Sequence, residues 1–123
     1  MASNSKQDRL LGQKGEDIAC QHLIDKGLSI LERNFRCKMG EIDLICQKDE
    51  FLVFVEVKTR KPSKEMIHPL ISLTRTKCSR LRRLGEFYRV SSDMMSKQPR
   101  FDAIGIIYRS DTDFTLEHIE NAF

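Results

Sequence analysis

Residues 40–60, GEIDLICQKDEFLVFVEVKTR, constrain the fold more than any other part of the chain. Two runs rich in branched and aromatic side chains, 41–47 and 51–58, flank the polar turn QKDE. Alternation with a period of two predicts a pair of antiparallel strands. Such a hairpin needs further strands or a covering helix to be stable. Asp43, Glu56 and Lys58 interrupt the apolar pattern. A charge in a sheet core is costly unless it is paired, bound to a metal or turned to solvent.

The rest of the chain supplies the cover. Residues 8–26 read as a helix stopped by Gly27, and LSILERNFR (28–36) as a strand before the hairpin. After a polar connection with prolines at 62 and 69, a second helix is expected over 74–90. RFDAIGIIY (100–108) and FTLEHI (114–119) read as final strands around an SDTD turn, with Pro99 in the loop that enters them. The order is helix, three-strand meander, helix, two strands. It predicts a single α/β domain with a mixed sheet flanked by helices. Residues 1–7 are expected to be a flexible N-terminus and 8–123 the domain.

The 123 residues are 40% hydrophobic and 32% charged, which suits one ordinary domain and is too apolar for a disordered chain. No apolar run approaches the roughly 20 residues that span a bilayer, and the polar start MASNSKQDRLLGQKG lacks a signal-peptide core. The expectation is a cytoplasmic protein with no membrane association. The four cysteines form no Cys-x-x-Cys pair and the three histidines are scattered, which argues against structural zinc. Cys20, Cys46 and Cys78 fall on apolar faces and read as buried thiols. The net charge of +3 conceals an asymmetry: residues 58–100 hold 12 Lys or Arg against 3 acids, a net of +9, and the remainder nets −6. A concentrated basic segment points to an anionic partner, nucleic acid first. The plainer reading is a solvated helix face.

Strand parity puts Phe51, Val53, Val55 and Val57 on one face and Leu52, Phe54, Glu56 and Lys58 on the other. In the preceding run Ile42, Leu44 and Cys46 share a face opposite Asp43, Ile45 and Gln47. With Cys46 paired to Phe51, Asp43 lies diagonal to Glu56, and the two acids and Lys58 emerge together at one sheet end. Two carboxylates can hold Mg²⁺, with a carbonyl and waters completing the shell. A lysine beside them can orient a nucleophile or stabilise transition-state charge. The plainer reading is an exposed ion pair at a strand end. A wheel at about 100° per residue places Glu16 within the inward arc of the first helix, among Gly12, Ala19, Cys20 and Leu23, with Asp17 turned away. His22 falls on the same inward arc and reads as a satisfied boundary histidine. In the second helix Lys77 lies within the arc of Cys78, Leu81, Leu84 and Tyr88. Arg80 is at its edge, and Arg75, Arg82, Arg83 and Arg89 lie outside. Snorkelling of a long side chain would also account for Lys77.

GQKGEDIACQHL, ERNFRCKMGEIDLI, VFVEVKTR, RFDAIGI and the closing HIENAF together resemble the YraN-like bacterial proteins. That group in turn resembles the restriction-endonuclease-like PD-(D/E)xK nucleases, particularly archaeal Holliday-junction resolvases. The resemblance runs from about residue 12 to the last residue. It implies a restriction-endonuclease-like fold with a magnesium (or manganese) site. Asp43 and Glu56 would be the metal ligands, Lys58 the catalytic lysine and Glu16 the helical acid that completes or supports the site. Lys77 matches a basic position near the start of the second helix. Arg60, Arg80, Arg82 and Arg83 join it as candidate nucleic-acid contacts. Junction-cleaving relatives commonly act as dimers, so a homodimer is also implied. The chain departs from the pattern where Ile42, rather than proline, precedes Asp43, and where Gly85 stands in place of an expected alanine.

These readings converge on a metal-dependent endonuclease acting on DNA, with branched or repair intermediates as candidate substrates. The alternative is a nucleic-acid-binding module of nuclease-like fold without activity. A structural ion pair on a small scaffold is the third reading.

Overall fold

The computed structural model describes residues 5–123. Helix α1 (Ser5–Asp25) is followed by strands β1 (Ser29–Cys37), β2 (Gly40–Lys48) and β3 (Phe51–Arg60). A single 3₁₀ turn at Pro69–Ser72 leads into helix α2 (Arg75–Ser91), and β4 (Gln98–Ser110) and β5 (Asp113–Ile119) complete the fold. The five strands lie in sequence order, and every neighbouring pair is antiparallel except β3 and β4. That one parallel contact needs a crossover, which α2 and the loop before it provide. The result is the expected mixed sheet with helices on both faces, compatible with a restriction-endonuclease-like core. Of the segment expected to be flexible, residues 1–4 lie outside the described residues, while Ser5–Gln7 belong to α1.

Each helix covers one face of the sheet. Ala19, Cys20 and Leu23 of α1 pack on Leu44, Cys46, Val53, Val55, Val57, Ile104 and Ile106. Leu81, Leu84 and Tyr88 of α2 pack on Ile42, Ile45, Leu52 and Phe54. The parity expected for β3 therefore holds, with its odd-numbered valines under α1 and Leu52 and Phe54 under α2. α1 ends as its sequence implies. Gly27 takes φ +90°, and the Leu28 N–H closes back on the Leu23 carbonyl at 3.0 Å. That is the glycine-stopped helix end in which the next residue packs inward, and Leu28 is buried.

Three local expectations change. The β2–β3 turn is shorter than QKDE. Lys48 pairs with Phe51, Cys46 pairs with Val53, and only Asp49 and Glu50 form the loop. Asp49 adopts φ 54°, the left-handed conformation that closes a tight hairpin. The register moves by two residues, so facing is kept but partners change. Pro99 lies inside β4, paired with Leu52, not in the entering loop. It sits before the first β4–β5 pair, Ala103 with Ile119, so it occupies a stretch with no second neighbour, where a missing N–H costs nothing. Gly85 is also explained. A Cβ there would stand 2.8 Å from the Phe101 ring and 3.1 Å from Phe54, whose stacked rings are 5.1 Å apart. The helix gives up intrinsic propensity so that an aromatic pair can press against its backbone.

No helix among the described residues is long and apolar enough to cross a membrane.

Candidate active site

The β2–β3 ladder ends at Leu44 paired with Val55, one step before Asp43 and Glu56 would face each other. Asp43 fills the gap with its side chain, accepting the Val57 N–H at Oδ2 over 2.8 Å. Glu56 lies close enough to act on the same carboxyl group. The corrected register thus puts the two acids opposite one another, not diagonally. Lys58 follows on the same face of β3, its Nζ 3.4 Å from Glu56 Oε2. The Glu56 side chain is 12% exposed and that of Lys58 is 29% exposed. Burial, and then the hydrogen bond and negative charge of Glu56, push the Asp43 carboxyl up to about 8, against the pull of the Val57 N–H and Lys58. Two half-buried acids with one lysine are short of positive charge.

The alternation expected along β2 fails at this point. Leu44 packs under α1, but Ile42 packs under α2. Its partner strand changes face with it. Arg33, opposite Leu44, reaches α1 acids, whereas Phe35, opposite Ile42, packs under α2. Asn34 and Asp43 are the residues between these pairs, and Asn34 has φ 54°. Both strands change face between these pairs, and Asp43 lies at the seam.

Glu16 arrives from the α1 side. A Cβ on Gly15 would stand 1.7 Å from Thr59 Oγ1, so glycine is what lets α1 lie against the end of β3. The Glu16 side chain is 15% exposed and 3.6 Å from Arg33. Burial, and then the charge of Asp43, raise its pKa, while Asn34 and Arg33 oppose the rise. Asp17 faces outward and holds Arg33 at 2.9 Å. The helix wheel thus placed both acids correctly. Gly12, also put on the inward arc, has open space around it, and the close approach belongs to Gly15.

From the α2 side, Lys77 and Arg80 line a cleft of about 210 Å³ with Glu41, Glu56, Lys58 and Leu84. The Thr74 hydroxyl caps α2 by accepting the Lys77 N–H at 3.3 Å. Arg60 is half-buried at the end of β3, two residues past Lys58 and level with Ile107. Arg82 and Arg83 are exposed and outside the cleft, and Arg83 borders a shallow groove with Phe87 and Val90 instead. Arg89 bonds Glu86 and the Met95 carbonyl, fastening the helix end. Cys20 and Cys46 are buried, but Cys78 is only half-buried.

A second polar cluster was not legible in the sequence. Asp102 is fully buried and accepts Arg100 Nε and Nη2 at 3.0 Å, His118 at 2.8 Å and the Asn121 N–H at 2.9 Å. Against the cost of burial, bonds from His118 and Arg100 hold its carboxyl below the usual range. His118 in turn meets His22 at 3.0 Å, so two histidines far apart in the chain touch. This network ties α1, β4, β5 and the C-terminal residues together and explains RFDAIGI and HIENAF as structural motifs. A cavity of about 550 Å³ opens beside His22 between α1 and β5.

The fold and the seam define a class: a small α/β domain with a five-stranded mixed sheet and an acid-lysine group at an interrupted ladder. Within that class, the chain belongs to the family described as Uncharacterised protein family UPF0102, whose model matches residues 15–106. A UPF0102 protein of Syntrophomonas wolfei is 40% identical over 94% of this chain and 99% of its own length. One from Caldanaerobacter subterraneus is 43% identical over 94% and 95%. One from Lawsonia intracellularis is 44% identical over 92% and 84%. The matched span begins at Gly15 and takes in Glu16, Asp43, Glu56, Lys58 and Lys77.

Proposed function

We propose that the protein is a metal-dependent phosphodiesterase that cuts DNA internally, with branched or repair intermediates among its substrates. One observation carries the reading. Asp43 and Glu56 come together at an interrupted ladder, with Glu56 raising the cost of ionising Asp43 and Lys58 Nζ 3.4 Å from Glu56. The donor set fits a hard divalent cation. Both donors are carboxylates, and the proton that relieves their repulsion is one a cation can replace. Mg²⁺ or Mn²⁺ suits so small a set because such ions keep several waters and take one or two carboxylates from the protein.

Asp43 and Glu56 would hold the ion, and Glu16 would support it from α1. A bound divalent cation supplies a polarised phosphodiester and a more acidic water. Lys58 offers an ammonium group to the charge that builds on the phosphoryl oxygens as water oxygen bonds to phosphorus and the bond to the leaving sugar oxygen breaks. Lys77 and Arg80 bind the flanking phosphates, with Arg60 beyond them, an attraction that weakens with salt. Arg82 and Arg83 contribute a more distant positive field. A homodimer would bring two such sites to the two strands of a branched substrate. The reading takes cytoplasmic DNA as the substrate.

The test is incubation of the pure protein with linear, nicked and branched DNA and Mg²⁺ or Mn²⁺. Cleavage that disappears in Glu56→Ala supports the reading, and cleavage unchanged in that variant contradicts it. One observation favours the second reading, a binding module without activity. Among the described residues, no group of three His, Cys, Asp or Glu side chains is arranged to hold a metal. In that case Asp43→Asn leaves Mn²⁺ uptake unchanged, while substitutions of the basic residues abolish DNA binding.

A further inference from the structure

The connection between β3 and α2 carries apolar side chains that the core does not use. Met66 is 88% exposed, Ile71 66% and Ile67 41%. Their neighbours hold the segment in place. Pro69 is buried, and Leu73 packs against the cluster under α2. The His68 ring caps the 3₁₀ turn by accepting the Leu70 N–H at 3.1 Å, and its other nitrogen meets Glu117 of β5. A Cβ on Gly105 would stand 3.1 Å from Leu70 and 3.3 Å from Pro69, so glycine lets the turn lie on β4. Gly105 is the residue paired with Lys58. Ile104 and Ile106 pack under α1, so Gly105 and Lys58 share the other face, on neighbouring strands about 4.8 Å apart. The segment is therefore seated one strand away from the lysine of the candidate site.

Behind Met66 and Ile67 a groove of about 300 Å³ reaches β4 and β5, lined also by Ile107, Lys61 and Arg109. Lys61 and Arg109 are exposed. Glu117 lines the groove as well, but His68 engages it. Over residues 60–66, Arg60, Lys61 and Lys64 stand against Glu65. We infer that this groove binds an unpaired DNA strand where it leaves the duplex beside the candidate site. Met66 and Ile67 press on the face of the exposed base, and Lys61 and Arg109 bind its phosphates. Apolar side chains of this kind replace a stacked neighbour in opened DNA, and a basic groove follows the backbone of a single strand. Apolar wall and basic rim lie side by side here, which is the chemistry of a nucleotide. A fully paired duplex keeps its bases stacked and offers only phosphates, so the groove sets a preference for branched over linear DNA. The inference rests on the proposed action on DNA, but not on a bound metal.

Fluorescence anisotropy in EDTA tests this, with a forked DNA carrying two unpaired arms beside a fully paired duplex of the same length. EDTA prevents metal-dependent cleavage and removes any contribution of a bound cation. The wild type should bind the fork more tightly than the duplex. Met66→Ser/Ile67→Ser changes two exposed side chains, and thermal unfolding checks that the fold is kept. It should lower the ratio of fork to duplex affinity about tenfold, the size of losing the contacts to one base. Lys61→Ala/Arg109→Ala, made separately, should lower the salt slope for the fork by more than that for the duplex. An unchanged ratio in Met66→Ser/Ile67→Ser, or equal salt slopes in the other variant, would overturn the inference. A change of oligomeric state in the first variant with the ratio unchanged assigns the apolar patch to a second copy, which also overturns it. Equal wild-type affinity for fork and duplex sinks the inference alone and leaves action on DNA standing. If the wild type binds neither DNA, the inference and that reading fall together.

Discussion

Replacing Asp43 by asparagine should stabilise the protein in the absence of divalent ions, although it removes a candidate metal ligand. Asp43 has its carboxyl pKa raised from 3.8 to about 8, by burial first and Glu56 second. The unfolded chain loses that proton near pH 4, and the folded chain keeps it to about pH 8. Each pH unit between these values is worth about 1.4 kcal/mol, so the upper limit of the penalty at neutral pH is about 4 kcal/mol. Solvent reaching the half-open seam reduces this, and about 2 kcal/mol is the expected net effect. The sign follows from the raised value. This acid favours folding below its unfolded pKa, and that contribution is lost as pH rises toward its folded pKa. Asparagine has no proton to lose and can still accept the Val57 N–H. Urea unfolding in EDTA, run from about pH 4.5 to pH 8, should show the two proteins equal in acid and Asp43→Asn more stable above neutrality. Saturating Mn²⁺ should reverse the order, because only the wild-type site gains binding energy. A variant less stable than wild type in EDTA at pH 8 would refute the electrostatic reasoning.

Further outcomes follow from the same geometry. Gly15→Ala places a Cβ 1.7 Å from Thr59 Oγ1 and should cost about 2 kcal/mol or more by thermal unfolding, whereas Gly12→Ala, with open space around it, should be neutral or mildly stabilising. Asp102→Asn leaves Arg100 and His118 without their charged partner and should cost about 3–5 kcal/mol in chemical denaturation. The depressed carboxyl pKa of Asp102 means that its stabilisation is present above the unfolded value and is lost as pH falls toward the folded one. Charge reversal of Lys77 and Arg80 should weaken DNA binding by anisotropy and lower the salt slope by about 2, whereas reversal of Arg82 and Arg83 should have the smaller effect.

Most of the architecture was legible because periodicity and punctuation agreed. Gly27 marks the end of α1, the valines of β3 give its buried face, and the basic helix between β3 and β4 implies the crossover. Glu16 could be found from its place on the helix wheel, and Lys58 and Glu56 from strand parity. The register of β2 and β3 could not, because turn length rested on Asp49 taking a left-handed conformation, which sequence allows but does not impose. The same physics hid Asn34. Both strands change face around Asn34 and Asp43, so strict alternation put Ile42 on the wrong side. An asparagine inside the strand was the available signal. Gly15 and Gly85 are set by what approaches them, Thr59 and the pair Phe54–Phe101, and such contacts depend on tertiary structure. The Asp102 network joins residues distant in the chain, and only Arg100 and Asp102, two apart on one strand face, offered a local hint.

The central claim, that the seam of Asp43, Glu56 and Lys58 cuts phosphodiesters, is tested most directly by Mn²⁺-dependent cleavage across DNA and RNA of different shapes, wild type beside Lys58→Ala. Calorimetry on the same samples confirms that the variant still takes up Mn²⁺. The expected result is metal-dependent cleavage of at least one DNA by the wild type and a loss of about a hundredfold or more in Lys58→Ala, in the range of removing one transition-state donor. No cleavage of any substrate, or equal cleavage by the two proteins, would contradict it.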